Sequence, residues 1–446
     1  MQEAQQIPKF ALVLLWITTS ALQFGFHISS LNSSAASIIC GTAVKQRGAL
    51  GLPSCVELSE TAFGLVTSAY TVGGLFASLN AGGLIERWGK KGTAVVSAGV
   101  IILGASAVSL GSSLWVLVLG RILIGMSCGI ATVLVPLYLA SVAPPAIAGN
   151  IGILTQISVN VGIFMAQSIS VPLSAPGTGQ WRFVSLVSVA IALAQIATSP
   201  LMVEERPNKH LNPTFVVPDE ERAPLARDGD DDDEVASLKT DDGTSLTVAE
   251  VLTSKEPSVK RPLWALVLVM FFQQAAGINA VMFYSVTILT AVNPASAKTV
   301  ALLVTLINLL MTLPTVYLID RLGRRSLLVM SLVTMSMSSL VLGWAINTDQ
   351  FTIASVFIIL FVVSFAMGLG PVPFVLLGEL PKPEAKSATA SIAVATNWIS
   401  NLIIGVAFLP FRDWLAEWTG SGSGAVFFVF AALSAVGAGV VGRLLR

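Results

Sequence analysis

Twelve apolar runs, each long enough to cross a lipid bilayer as a helix, divide this 446-residue chain almost from end to end. A hydrocarbon core of about 30 Å takes roughly 20 helical residues, and runs of that length lie near 10–29, 61–85, 93–111, 114–140, 149–173, 181–203, 262–291, 299–319, 326–346, 350–378, 385–410 and 424–444. Helices are expected rather than barrel strands, because the runs are long and unbroken and a backbone in lipid must satisfy its own hydrogen bonds. With 54% hydrophobic and only 11% charged residues, no water-soluble surface could be built. The first run lacks a basic n-region, and its end "QFGFHISS" is no small-residue cleavage site, so it reads as a span and not a cleaved signal. Charges balance at 25 basic and 25 acidic, which leaves no basic field for nucleic acid.

Basic loops set the expected orientation. "ERWGKKG" (86–92) and "DRLGRRS" (320–326) each carry three basic residues and fall on the same side if every run spans once, so that side, with both termini, is expected to be cytoplasmic. The loop from about 30 to 60 is then exoplasmic and holds Cys40, Cys55 and the sequon Asn32-Ser33-Ser34. Cys40 and Cys55 either pair in an oxidising compartment or remain two thiols.

One polar insert separates six runs from six. It contains "RDGDDDDEVASLKTDDG", too polar to bury a core, and is expected to be largely disordered. Its four aspartates lack the spacing and turn glycine of a calcium loop, and no metal or cofactor is implied. "SLTVAEVLTS" (245–254) is expected to form a short amphipathic helix. The expected organisation is an N-terminal six-helix bundle (1–203), a cytoplasmic, partly disordered acidic linker (204–261) and a C-terminal six-helix bundle (262–446).

The halves are copies. "LIERWGKK" at 84 returns as "LIDRLGRR" at 318, an offset of 234, and "PLYLASVAP" at 136 is echoed by "PFVLLGELP" at 373, an offset of 237. Parallel six-span repeats place a substrate site near the midplane between them and move by rocking of one half on the other. The midplane carries side-chain amides instead of charges: Gln156 and Gln167 in span 5, Gln273, Gln274 and Asn279 in span 7, Asn308 in span 8, and Asn397 and Asn401 in span 11. An amide donates and accepts, as the hydroxyls of a neutral sugar do, and avoids the cost of a charge in lipid. Amides that only join helices to one another are the alternative reading.

In order along the chain, "GRILIGMSCGIATVLVPLYLASVAP" (120–144), "GILTQISVNVGIFMAQ" (152–167), "QQAAGINAVMFYS" (273–285), "DRLGRR" (320–325), "GPVPFVLLGEL" (370–380) and "ATNWISNLIIG" (395–405) resemble the sugar porters of the major facilitator superfamily, among them facilitative glucose transporters and fungal hexose transporters. The resemblance implies an all-α membrane protein of the major facilitator fold, with twelve transmembrane helices in two six-helix pseudo-repeats. It also implies a monosaccharide carrier working by alternating access as a monomer, with no enzymatic activity. At the positions matching Gln156, Gln273, Gln274, Asn279, Asn308 and Asn401, family members bind the sugar or line its cavity. Phe374 stands where the family usually has Trp beneath the sugar, and Ala366 where glucose transporters usually carry a carboxylate.

The same resemblance assigns inner gating to Arg87, Lys90, Lys91, Asp320, Arg321, Arg324, Arg325 and Glu379. Two usual partners, a Glu after span 4 and an Arg after span 5, read Ser141 and Ala148, and the motif "PESPR" has become "MVEERPNK", which implies a weaker inner lock. Pro371 and Pro373 break span 10, and a hinge is expected there.

His27 occupies the place of the Asp in proton-coupled relatives, and Arg121 matches the arginine beside it. Imidazole can carry a proton near neutral pH, or serve as a hydrogen-bonding spacer. Absence of the Asp favours facilitated diffusion. A proton-coupled symporter using His27, and a non-transporting sensor or trafficking protein, are the alternatives. The "GFH" variant and short insert are similar to the fungal vacuolar branch, so the expected location is the plasma membrane or the vacuolar membrane.

Overall fold

A computed structural model describes residues 2–31, 34–40, 46–143, 148–202, 245–281, 297–420, 422 and 424–445. The sequon residue Asn32 and most of the acidic insert lie outside the described residues.

Among the described residues ten helices are long and apolar enough to cross a membrane. One of them, Ala62–Leu110, has 49 residues and would be roughly 70 Å long if straight, over twice the hydrocarbon core. It is interrupted at Gly89 (φ 68°, ψ 168°) and therefore holds spans 2 and 3. Span 8 is a bent pair, Leu302–Thr312 with Thr315–Leu322. Counted so, the described residues hold twelve spans. The others are span 1 (Gln2–Ser29), span 4 (Leu114–Val142), span 5 (Ala148–Leu173), span 6 (Trp181–Thr198), span 7 (beginning Pro257–Ala275), span 9 (Arg324–Asn347), span 10 (Phe351–Glu379, interrupted), span 11 (Lys386–Thr419) and span 12 (Ala425–Leu444).

The sequence repeat is visible in the backbone. Gly89 and Gly323, 234 residues apart in the two copies of the basic motif, both take positive φ with extended ψ (68°, 168° and 78°, 156°). Glycine adopts that conformation without a Cβ penalty, so each copy turns the chain between consecutive spans at one residue.

The outward surface is apolar, as lipid requires: Leu15, Leu103, Trp115, Met337, Ile403 and Val406 are all more than half exposed. Inside, close helix approach depends on small residues. Gly125 and Gly129 of span 4 lie directly against the Tyr70 and Gly74 carbonyls of span 2, and Gly120 against the Gly104 carbonyl of span 3.

One end of the N-terminal bundle is closed by a guanidinium. Arg182 of span 6 is fully buried and donates from Nη1 to the carbonyls of Ser109 and Gly111, both at 2.6 Å, and from Nη2 to that of Pro53 at 3.0 Å. A cation on the carbonyls at the end of span 3 suits the negative end of that helix. Trp181 Nε1 donates to the Ser54 carbonyl at 2.9 Å, fixing the same loop. Within that loop Cys40 and Cys55 form a disulfide with Cα atoms 5.1 Å apart.

At the opposite end, the linker helix Val248–Thr253 begins with a capping box between Thr247 and Glu250. Its fully buried Val251 packs with Val259, Leu263, Ala385 and Ala388. The Leu246 N–H donates to the Glu384 carbonyl at 2.9 Å, and Lys382 pairs with Glu256 at 2.8 Å, so the helix rests on spans 7 and 11.

Candidate substrate-binding site

Span 10 breaks in the middle, and its neighbours repair the break. Phe365–Leu369 is a π-helical turn in which the Gly370 N–H reaches back to the Phe365 carbonyl. Pro371 and Pro373 have no N–H to give the carbonyls four residues earlier, Met367 and Leu369. Thr315 Oγ1 of span 8 lies 3.2 Å from the Met367 carbonyl and 3.3 Å from that of Ala366. Gln273 Nε2 of span 7 donates to Leu369 at 2.7 Å and Gly370 at 3.2 Å. Ser331 Oγ of span 9 donates to the Ser364 carbonyl and accepts from the Leu369 N–H.

From Gln273 a row of amides runs outward. Its Oε1 accepts from Asn397 Nδ2 of span 11 at 2.6 Å, Asn397 Oδ1 accepts from Gln274 Nε2 at 3.2 Å, and Gln274 Oε1 accepts from Asn279 Nδ2 at 2.6 Å. Asn401, one turn beyond Asn397, is half-buried and joins none of these bonds.

A second cluster bridges the halves between spans 5 and 8. Asn160 Nδ2 donates to Thr312 Oγ1 at 2.7 Å, while its Oδ1 accepts from Gln156 Nε2 at 3.0 Å and Asn308 Nδ2 at 3.2 Å. All four residues are buried, and Asn308 Oδ1 has no partner among the described residues. Among the described residues no charged side chain bonds to either cluster. Gln167 lies apart, accepting from Ser29 Oγ of span 1 at 2.8 Å.

Trp398 packs span 11 onto the N-terminal half. Its buried ring stands 5.6 Å from Phe24 and 5.3 Å from Tyr70 by centroid, and Gly74 of span 2 fits directly against it. Phe374 is buried just past the break in span 10. Sequence reasoning passed over Asn160 and Trp398. Asn160 stands four residues after Gln156, one helical turn, and that spacing is the signal that could have found it.

The sugar-transporter family model, described as "Sugar (and other) transporter", matches residues 12–445. This chain belongs to that family. A Saccharomyces cerevisiae relative named vacuolar protein sorting-associated protein 73 is 28% identical over 443 residues, covering 93% of this chain and 88% of the relative. The facilitated glucose transporter protein 1 of Caenorhabditis elegans is 29% identical over 438 residues, covering 93% and 83%. Among solved structures, a proton:xylose symporter of the major facilitator superfamily, bound to 6-bromo-6-deoxy-D-glucose, superposes with a TM-score of 0.76 at 17% identity over 98% of this chain and 96% of that one. The fold is therefore the twelve-helix major facilitator fold, and the chain is a multi-pass integral membrane transporter, not an enzyme.

At the end carrying the basic loops, Arg324 Nη2 pairs with Glu379 at 2.9 Å and Nη1 with Asp320 at 3.4 Å. Gly149 of span 5 lies directly beneath the side-chain ends of Arg324 and Asp320, so this cluster from the second half packs on the first. The remaining basic residues make other contacts. Arg325 Nε donates to the Gly442 carbonyl of span 12 at 2.9 Å, Arg321 lies over the Tyr317 ring, and Lys91 donates to the Met202 carbonyl. Lys90 lies 5.8 Å over the Tyr138 ring and Arg87 6.0 Å from that of Trp88.

His27 is buried between spans 1 and 6. Its Nε2 lies 2.6 Å from Ser188 Oγ, which donates to Gln23 Oε1 at 2.9 Å, while Gln23 Nε2 donates to the Ser188 carbonyl at 2.8 Å. Arg121 reaches the His27 backbone carbonyl at 3.2 Å and stacks 4.5 Å over the Tyr70 ring.

Proposed function

We propose that this protein carries monosaccharides, hexoses such as glucose, across a membrane by facilitated diffusion. The observation that carries the reading is the pair of uncharged amide clusters, Gln273-Asn397-Gln274-Asn279 and Gln156-Asn160-Asn308, set at the broken helix and at the seam between the halves. A neutral polyol can exchange hydrogen bonds with such a site without desolvating an ion. The relatives named as glucose transporters support this substrate class.

Alternating access follows from the two-half construction. Both termini and the linker lie on the cytoplasmic side in this reading, supported by the basic loops 86–92 and 320–326. The packing of Arg324 and Asp320 on Gly149 then closes the cytoplasmic entrance. The 1–203 and 262–446 bundles act as the rocking bodies. Each contributes one side of the site, so a single copy suffices and the working unit is a monomer. A vacuolar or plasma membrane location rests on the branch that the sequence resembles, the yeast relative named for vacuolar sorting supporting the first.

Facilitated diffusion is favoured over proton coupling because no carboxylate is among the bonded partners of His27, whose Nε2 meets the Ser188 hydroxyl inside the first bundle. Uptake of radiolabelled hexoses by proteoliposomes, with and without a pH gradient, tests the reading. Absence of saturable hexose flux would defeat it.

A further inference from the structure

Both amide clusters have a fixed polarity, and each fixes it at an end that can only accept. In the seam cluster Thr312 Oγ1 donates its proton to the Asn308 backbone carbonyl, four residues back at 2.8 Å. Its oxygen can then only accept from the side-chain amide facing it, so Asn160 must turn Nδ2 toward Thr312 and Oδ1 toward Gln156 and Asn308. Those two must in turn give Asn160 their N–H groups, at 3.0 and 3.2 Å. Their carbonyl oxygens point the other way, and Asn308 Oδ1 is left buried without a partner among the described residues. A buried polar atom in that state is costly until something donates to it.

The span 7 cluster repeats the logic independently. The Leu369 and Gly370 carbonyls can only accept, so Gln273 presents Nε2 to them and Oε1 to Asn397. The same sense passes through Gln274 to Asn279, whose Oδ1 ends the row.

We infer that the site is polarised toward its substrate: Asn308 Oδ1 is an obligate acceptor that selects a sugar hydroxyl able to donate, and Asn160 is the positioning residue that holds it so. This deepens the hexose reading and rests on it. Asn160 need not touch the sugar. Its role is to deny Asn308 the amide flip that would present N–H instead, and a protein without that restraint could accept a hydroxyl of either polarity.

The test compares a transported hexose with its series of monodeoxy and monodeoxyfluoro analogues, as inhibitors of hexose uptake in proteoliposomes. Fluorine keeps the size and weak acceptor character of a hydroxyl but cannot donate. At one ring position of the wild type, the fluoro and deoxy analogues should both bind tenfold or more weaker than the parent. In Asn160→Val, and separately in Thr312→Val, which frees Asn160 without changing its side chain, the fluoro analogue at that position should recover severalfold relative to the deoxy analogue. A merely structural role for Asn160 would lower activity without moving that ratio. Wild-type protein that carries hexose yet accepts the fluoro analogue at every position as well as the parent would overturn the inference alone. A protein that neither binds nor carries any hexose would overturn it together with the proposed function.

Discussion

Gln273 Nε2 donates at 2.7 Å to the Leu369 carbonyl, the group that residue 373 would have bonded had it not been proline. A side chain matched to a family sugar ligand therefore also closes a gap in the broken helix. Replacing it with Leu should leave the Leu369 and Gly370 carbonyls and the Asn397 amide without this donor and acceptor. The expected loss is about 1–3 kcal/mol of stability even without sugar, seen as a lower Tm of the purified protein. A Tm equal to wild type would show that the break does not depend on this amide.

Gln274 and Asn279 stand farther along the same row, away from the helix break, and their loss should fall on the ligand. Gln274→Ala or Asn279→Ala is expected to weaken sugar binding by about 1–3 kcal/mol each, because a buried hydroxyl loses its partner. Isothermal titration of each variant reads this directly, and unchanged affinity would remove that residue from the site.

Most of the fold was legible in the sequence because its determinants are local: run length, basic loops and the 234-residue repeat each declare themselves within a few residues. The amide site was legible only in part. Gln156, Gln273, Gln274, Asn279 and Asn308 stood out as polar residues in apolar runs, but their partners depend on helix rotation and on contacts across the halves. Asn160 meets Thr312 over 152 positions of sequence, and Trp398 meets Thr132 over 266. Trp398 carried no periodic signal, since a lone indole in a span reads equally as packing or lipid contact. The dual engagement of Gln273 followed from which carbonyls two prolines leave open, and that required the backbone path of span 10.

Arg324 and Arg325 are adjacent in the repeated motif, yet they point to different neighbours, and this separates their expected effects. Arg324→Ala removes the bonds to Glu379 and Asp320 above Gly149 and should shift the balance between inward-open and outward-open states. Transport should fall several-fold while sugar affinity changes less. Arg325→Ala loses a bond to the Gly442 carbonyl of span 12 and should lower Tm with a smaller effect on flux. Comparing exchange and net flux of the two variants decides the point; equal transport loss in both would contradict this division.

The linker helix should loosen in acid. Hydrogen bonds from the Thr247 backbone and hydroxyl hold the Glu250 carboxyl below its ordinary value of 4.5, and those from Lys382 and Ser258 do the same for Glu256. A depressed folded-state value means the stabilisation is complete above the ordinary value and disappears as pH falls below 4.5 through the lowered ones. Amide hydrogen exchange over residues 246–256, corrected for intrinsic rates, should show protection at pH 7 that is reduced at pH 3. Protection that is the same at both would mean that Val251 packing alone holds the helix.

His27 bears on the coupling mode. Gln23 Nε2 is committed to the Ser188 carbonyl, so Gln23 Oε1 takes the Ser188 proton and Ser188 Oγ can accept from His27 Nε2. This places the proton of the imidazole on the nitrogen facing Ser188, within a bond network internal to spans 1 and 6, while Arg121 binds the His27 backbone carbonyl. A group so engaged is expected to act as a spacer between two helices of one half. Wild-type proteoliposomes are therefore expected to equilibrate hexose without accumulating it under an inward proton gradient, and a protonophore should leave the final level unchanged. His27→Asn keeps a donor for Ser188 on a shorter side chain and should alter sugar affinity only a few-fold, with exchange retained. Accumulation above equilibrium in the wild type, abolished by the protonophore and by His27→Asn, would instead make the imidazole the carrier of a transported proton.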